Sequence, residues 1–332
     1  MKREIDERLA LFAANAQTIK KGFIWQDAMT KRLAALLYAL ENKSIDCDAI
    51  RECHRLIKDN TGMFSMFRGN MSLCVAAMLS LQGNREELFR HTMSVYDMLK
   101  NVKFRSSDYL AVAAYQIATN ANSEQYQHVA KRAKMFYDGM KARHFFHTGQ
   151  DDYIYAAMLG LSDIDVEAGT ERIEQLYQRL KSEFWSGSSV QALSQVLVLG
   201  GKSDDSVHRI LSLRDALRSW RIKLDKMYTL PALGVLALLP VDADSIAQDI
   251  LDARDFLRTQ KGFGAFSVTT QELLLFSAAI AASCYAEDMK NDIITASVST
   301  SIASIIIAQQ TAIIVAASAS TAAATAAASS SH

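Results

Sequence analysis

The sequence predicts an all-α protein of stacked antiparallel helical hairpins. A short apolar segment rich in small residues returns at a nearly constant interval, and charged amphipathic segments separate its occurrences. The 332-residue chain also has only two prolines, which break helix interiors. A period near 40 residues is typical of proteins with one hairpin per repeat. The apolar segment starts at Ala34, Ala76, Ala113, Ala156, Ser194, Leu233 and Ala278, at intervals of 42, 37, 43, 38, 39 and 45 residues.

The returning segments predict inner helices. AAMLSL at Ala76 and AAMLGL at Ala156 are apolar on all sides of a helix. A helix without a polar face is buried in protein, and its small residues let neighbouring backbones approach closely.

The segments between them predict outer helices. In REELFRHTMSVYDMLKN, the residues Leu88, Phe89, Met93, Tyr96 and Leu99 fall on one helical face, and the charged residues fall elsewhere. Such a helix buries one stripe and exposes the rest.

Residues typical of helix ends mark the predicted outer helices. Capping residues open them and basic residues close them, as the helix dipole favours. The openings are Asp46, Asn84, Ser123, Asp163 or Asp165, Ser203 and Asp242. An aromatic residue usually follows the last turn, and we predict a buried plug that fixes the angle of the loop. These aromatic residues are Phe64, Phe104, Phe145, Phe184 with Trp185, and Phe263.

An N-terminal helix, six hairpins and a last inner helix at about 269–286 give about 14 helices. We predict a single helical-repeat domain over residues 1–292. A hairpin cannot bury its apolar face alone, so neighbours stack, and we predict an α-α superhelix. A closed α/α toroid is the alternative, because the repeat spacing fits both.

The C-terminal segment 293–332 differs from the rest, since it has no Asp, Glu, Lys or Arg. Residues 298–317 have the length of a membrane span, but Gln309 and Gln310 lie near the middle. The interpretation we favour is an uncharged helix packed on the repeats or shared between subunits. A membrane span and a flexible, aggregation-prone tail remain the alternatives.

Composition limits the classes of function. The chain has 36 basic and 36 acidic side chains, which argues against a strongly electrostatic nucleic-acid binder. Its four cysteines form no C-x-x-C pair and are predicted to be reduced. The N-terminal segment is amphipathic and unlike a signal peptide, so we predict a cytoplasmic protein.

The densest polar cluster is HFFHTGQDDY, with His147, Asp151, Asp152 and Tyr153. A histidine followed by paired carboxyl groups can supply an acid and a base, so these are the candidate catalytic residues. In the structural alternative, Thr148 or Gly149 caps a helix and the two acids occupy its first turn. We predict no metal site.

Tyrosines near the starts of inner helices are the candidate binding residues. Asp108 and Tyr109 begin one such helix, and Tyr228 precedes another. If the starts converge, these side chains line a groove or cavity. The alternative is that the tyrosines fill gaps between repeats. The chain has no glycine-rich phosphate loop, and we predict no cofactor.

Five stretches and the Ala/Ser-rich C-terminus carry a family resemblance. The stretches are FRGNMSLCVAAML, YDMLKNVKFRSSDYLAVAAYQI, HFFHTGQDDYIYAAMLGL, LVLGGKSDDSVHRI and PALGVLALL. On these stretches the chain resembles a bacterial family of uncharacterised proteins, catalogued only as a domain of unknown function. The resemblance covers nearly the whole chain and implies one all-helical domain. It implies no activity, cofactor or catalytic residue.

Three functional hypotheses follow. The first is a non-enzymatic scaffold that binds a peptide or protein partner on its concave face, because no catalytic signature competes with it. The second is an enzyme with a central cavity in an α/α toroid. The third is association with a membrane or an assembly through residues 293–332, of which membrane contact is not favoured. An oligomer fits the sequence, and a nucleic-acid partner is not expected.

Overall fold

The computed structural model describes residues 1–201, 205–226, 228–288, 307, 308 and 311. Within these residues, fourteen α-helices are described from their first residue to their last, together with three short 3-10 helices. The described residues contain no β-strand, so the fold is all-α as predicted. The inner helices are α2 (Ala28–Leu40), α4 (Ser72–Ser80), α6 (Asp108–Asn120), α8 (Tyr153–Leu161), α10 (Gly187–Leu199), α12 (Leu230–Leu238) and α14 (Thr270–Asp288). The outer helices are α1 (Lys2–Gly22), α3 (Cys47–Asp59), α5 (Arg85–Asn101), α7 (Tyr126–Arg143), α9 (Val166–Leu180), α11 (Ser206–Ser219) and α13 (Ala243–Thr259). The 3-10 helices are Met66–Arg68, Ser123–Gln125 and Gln150–Asp152.

Inner and outer helices differ in burial as their sequences predict. Every residue of α4 is buried, whereas α5 buries one stripe that includes Phe89, Tyr96 and Leu99. The outer helices therefore shield the inner ones from solvent.

Contacts between the two ends of the chain close the stack into a ring. Helix α1 packs against α13 and α14, and α14 packs against α2. The Phe12 ring lies 5.2 Å from both Phe263 and Phe276, centroid to centroid. Arg8 donates two hydrogen bonds to Glu287, at 3.2 and 2.9 Å. The fold is thus the closed toroid that the sequence left as an alternative, and not the open superhelix.

Side-chain contacts join neighbouring outer helices. Trp220, after α11, donates to Asp244 of α13 at 3.1 Å. At the closure, Lys2 of α1 pairs with Asp252 in the middle of α13 at 2.6 Å. The first helix therefore lies beside α13 as the next outer helix of the ring.

All inner helices run in the same direction, because each is antiparallel to the outer helices beside it. Their N-termini therefore meet at one end of the ring, which we call the N-terminal end. Polar contacts connect neighbouring starts there: Met71 N to Asp108 (3.4 Å), Arg105 N to the Tyr153 hydroxyl (3.3 Å), Thr148 to Gln191 (3.2 Å), and Arg32 to Glu272 (3.2 Å).

Two arginines cap the opposite ends of inner helices. Arg132 of α7 and Arg209 of α11 each donate to three backbone carbonyls at the end of the following inner helix and in its loop. The acceptors are Gly160, Ser162 and Ile164 for Arg132, and Ala237, Leu239 and Val241 for Arg209. The spacing is the same in both, and the contacts satisfy carbonyls that a helix end leaves without partners.

The aromatic residues predicted as plugs divide between the inside and the outside of the ring. Phe104, Phe184 and Phe263 are buried as predicted. The prediction is wrong for the exposed residues Phe64, Phe145 and Trp185. In four of the loops a buried aromatic residue already fills the space between the helices, and a second aromatic side chain remains in solvent. The resulting buried and exposed pairs are Phe23/Trp25, Phe67/Phe64, Phe184/Trp185 and Phe263/Phe266.

Most of the predicted segment 293–332, and the predicted cap Ser203, lie outside the described residues. The exceptions are Ile307, Ala308 and Thr311, which are helical and buried. Ile307 and Ala308 belong to the same apolar core as the ring. No helix within the described part of the chain is long and apolar enough to cross a membrane. The four cysteines are unpaired.

Candidate functional site

A cavity of about 1070 Å³ opens at the N-terminal end of the ring. It lies where the loops before α10 and α12 meet the first turns of α10, α12 and α14. We call it the rim cavity. Its lining residues are Lys181, Ser182, Glu183, Phe184, Trp185, Ser186, Ser189, Arg218, Asp225, Lys226, Tyr228, Leu230 and Gln271. Hydroxyl groups, charged groups and aromatic rings thus face one space.

The rim cavity has an excess of positive charge. Its two acids, Glu183 and Asp225, each pair with an arginine. No carboxylate among the described residues pairs with Lys181 or Lys226. The N-termini of three inner helices also open toward the cavity, and a helix N-terminus carries partial positive charge. An anionic group would therefore be stabilised here.

The structure brings together three of the residues predicted from sequence. Burial raises the pKa of Tyr109, and the nearby Asp151 and Tyr228 raise it further. These three residues come from α6, from the start of α8 and from the loop before α12. Asp151 is exposed to solvent on one side. The protein around the rest of its carboxyl group raises the pKa of that group. The two tyrosines that the sequence offered as candidate binding residues therefore lie near each other.

Asp152 is buried beside Asp151 and is hydrogen-bonded through both carboxylate oxygens. Its Oδ2 accepts from the backbone of Gly149 at 2.9 Å, and its Oδ1 accepts from Gln191 at 3.1 Å and Gln195 at 2.7 Å. Burial, followed by the charge of Asp151, raises the pKa of Asp152 to about 7. Gly149 precedes the 3-10 helix Gln150–Asp152, so both acids lie in a first turn, as the structural alternative holds.

His147 has different neighbours from Asp152. Its ring lies 6.1 Å from the Tyr177 ring, centroid to centroid. It also lies against Gly187, where an added Cβ would come within 2.6 Å of the imidazole. Within the described ranges, no group of three His, Cys, Asp or Glu residues could hold a metal ion.

Tyr153 is buried among aromatic rings. It lies 4.7 Å from Phe104 and 5.2 Å from Tyr137, centroid to centroid. Its hydroxyl accepts from the backbone of Arg105 at 3.3 Å. These contacts hold the loop before α6 against the start of α8.

Asp108 joins two neighbouring inner-helix starts. Its carboxylate accepts from the backbone of Met71 at 3.4 Å and from the side chain of Asn70 at 3.3 Å. Burial raises the pKa of Asp108, and these bonds partly oppose the shift. The side chain holds the loop before α4 against α6.

Sequence reasoning missed most of the rim cavity. Of its lining residues, Phe184 and Trp185 stood out only as predicted plugs. Gln191 and Gln195 carried an available signal, because they form an i, i+4 pair of amides on an inner helix whose other residues are apolar or small. Both are fully buried, and Gln195 Oε1 has no hydrogen-bond partner in the described part of the chain.

Fold and site together define a closed all-α ring with a cationic, aromatic-lined cavity at one end. The chain belongs to the DUF4003 family, described as a protein of unknown function, which matches residues 15–311. The matched range confirms the resemblance to a domain of unknown function and extends past Asp292 into the uncharged segment. No curated protein and no solved structure matched the chain in the comparisons.

Proposed function

We propose that this protein is a non-enzymatic binding protein whose rim cavity accepts an acidic segment of a peptide or protein partner. The observation that carries the proposal is the rim cavity itself, with its two lysines, three helix N-termini and Trp185. Its volume is at the upper end of the range for small-molecule sites, which suits several amino-acid residues.

Ring closure changes where a partner would bind. An open superhelix would offer a concave groove along its inner helices, but the inner helices of this ring are buried. The partner site of our first hypothesis therefore moves from a groove to the end of the ring, where the inner-helix starts converge.

The enzyme hypothesis receives less support from the geometry. Asp152 uses both carboxylate oxygens in hydrogen bonds within the protein, and His147 lies against Gly187 with its ring 6.1 Å from that of Tyr177. An acid and a base that act on one substrate must reach a common point. These two residues instead take part in separate packing arrangements.

The proposal is tested by selecting binders from a phage-displayed random peptide library, with counter-selection on a Lys181→Glu/Lys226→Glu variant. We expect the selected peptides to be acidic and to bind the wild type. In fluorescence polarisation, the double variant should bind them at least about tenfold more weakly, because two attractive charges become repulsive. The matched control is Lys58→Glu/Lys131→Glu, which makes the same charge change at exposed positions outside the cavity.

Equal loss of binding in both double variants would contradict the proposal, because it would indicate a non-specific charge effect. Failure to enrich any peptide that depends on Lys181 and Lys226 would also contradict it. Circular dichroism of each variant verifies that the ring is folded.

A further inference from the structure

The loops before the inner helices expose large aromatic side chains around the N-terminal end of the ring. Five of the seven loops each carry one that is almost completely exposed. They are Trp25 (97%), Phe64 (91%), Phe146 (92%), Trp185 (102%) and Phe266 (109%). We call these five side chains the aromatic rim. Since the inner-helix starts are linked around the ring, the rim side chains surround its end.

The side chains of the aromatic rim are not needed to pack the loops that carry them. Four of these loops also contain a buried aromatic residue that fills the space under the loop, as Phe23 does beside Trp25 and Phe263 beside Phe266. The exposed partners contribute little to that packing. A large apolar side chain in water on five separate loops indicates a surface that binds something.

Cationic side chains surround the aromatic rim. The seven loops, with the last turn of the outer helix before each, carry fourteen exposed Lys or Arg residues and four exposed Asp or Glu residues. Each of the seven contributes at least one exposed cation: Lys21, Lys58, Lys103, Arg143, Lys181, Lys223 and Lys261. In contrast, the described parts of the loops that follow the inner helices expose seven acids and a single lysine, Lys43. The neutral chain is therefore polarised, with its positive end around the aromatic residues.

We infer that the aromatic rim docks on an anionic lipid surface. Tryptophan and phenylalanine partition into the interface of a bilayer, and nearby Lys and Arg are attracted by anionic headgroups. Separate, fully exposed side chains suit a fluid surface, into which each can insert independently. A protein partner would instead need a complementary pocket for each ring. This docking needs no membrane-spanning helix, and four of the five rim side chains lie outside the lining of the rim cavity.

The test is flotation of the full chain with phosphatidylcholine vesicles that contain either no anionic lipid or about 30% phosphatidylglycerol. We expect binding to the anionic vesicles alone, and a decrease of at least about tenfold between low and moderate salt. Two of the three tryptophans belong to the rim, so in a Trp220→Phe background their fluorescence should shift to shorter wavelength on binding.

The variant Trp25→Ala/Phe64→Ala/Phe266→Ala removes three rim side chains and leaves the lining of the rim cavity unchanged. We expect at least about tenfold weaker vesicle binding and unchanged binding of cavity-selected peptides. The matched control is Met135→Ala, which removes an exposed apolar side chain from the wall of the ring. Because all four side chains are exposed, the variants are expected to fold.

Three outcomes would overturn the inference. One is equal binding of the wild type to neutral and anionic vesicles, or to neither. The second is vesicle binding that the triple variant retains. The third is salt-sensitive self-association without lipid that the triple variant abolishes, which would assign the rim to a second copy of the chain.

Discussion

Substitution of Asp152 by Asn should change how the stability of the ring depends on pH. Asp152 is 3% exposed, and the pKa of its carboxyl group is raised to about 7 from an ordinary value of 3.8. Between these two values the native state holds a proton that the unfolded chain has lost. The free energy of unfolding of the wild type therefore falls as pH rises through this interval and becomes level above it.

The size of the expected change in stability follows from the interval between the two pKa values. Each pH unit within it lowers the stability of the wild type by about 1.4 kcal/mol through this group, so roughly 3 kcal/mol is lost between pH 5 and pH 8. Asparagine does not ionise and lacks this loss. We expect Asp152→Asn to gain roughly 3 kcal/mol relative to the wild type over this range.

Urea denaturation followed by circular dichroism at several pH values measures the effect. The informative quantity is how the difference in free energy of unfolding between the variant and the wild type changes with pH. Any cost of the substitution that does not depend on pH cancels in that comparison. Asp252→Asn is the control, since pairing with Lys2 lowers the pKa of Asp252 and its titration lies below this range. Parallel pH profiles of Asp152→Asn and the wild type, within about 0.5 kcal/mol, would falsify the argument.

Four further substitutions test the architecture by urea denaturation. Arg132→Ala and Arg209→Ala each remove hydrogen bonds to three backbone carbonyls, and each should lower the free energy of unfolding by about 2–4 kcal/mol. Arg132→Lys should recover little of this stability. A loss below about 1 kcal/mol would mean that water replaces the arginine as hydrogen-bond donor. Phe12→Ala should cost about 3–5 kcal/mol, because Phe12 is fully buried at the junction of the chain ends; a surface-sized effect would argue against a tightly closed ring. Gly160→Ala should cost about 1–3 kcal/mol, since a Cβ there would lie 2.9 Å from the Ala133 backbone nitrogen, and tolerance would show that α7 and α8 can separate.

The alternation of helices was predictable because it depends on local pattern. An all-apolar segment such as that at Ala76 has to be buried, and an amphipathic segment such as 85–101 has to cover it. Caps such as Asp46 and Asp242 were predictable for the same reason, since a cap bonds to backbone two or three residues away.

The candidate site was only partly predictable. The sequence indicated that inner-helix starts would carry Asp and Tyr side chains, and the ring brings Tyr109, Asp151 and Tyr228 together. Sequence could not distinguish them from Tyr153, which packs between aromatic rings, because neighbours from other helices decide which way each tyrosine faces. It also gave no reason to separate the exposed Trp185 from the buried Phe184 beside it.

The sequence by itself determined the all-α class, the number of helices and the two kinds of helix, because hydrophobic periodicity acts within a few turns. Only the tertiary structure decided that the ring closes, since closure depends on how small rotations between hairpins add up along the whole chain. Closure pairs Arg8 with Glu287 and Phe12 with Phe276, contacts between residues more than 260 positions apart. It also gathers the inner-helix starts at one end, and so creates both the rim cavity and the cationic aromatic rim.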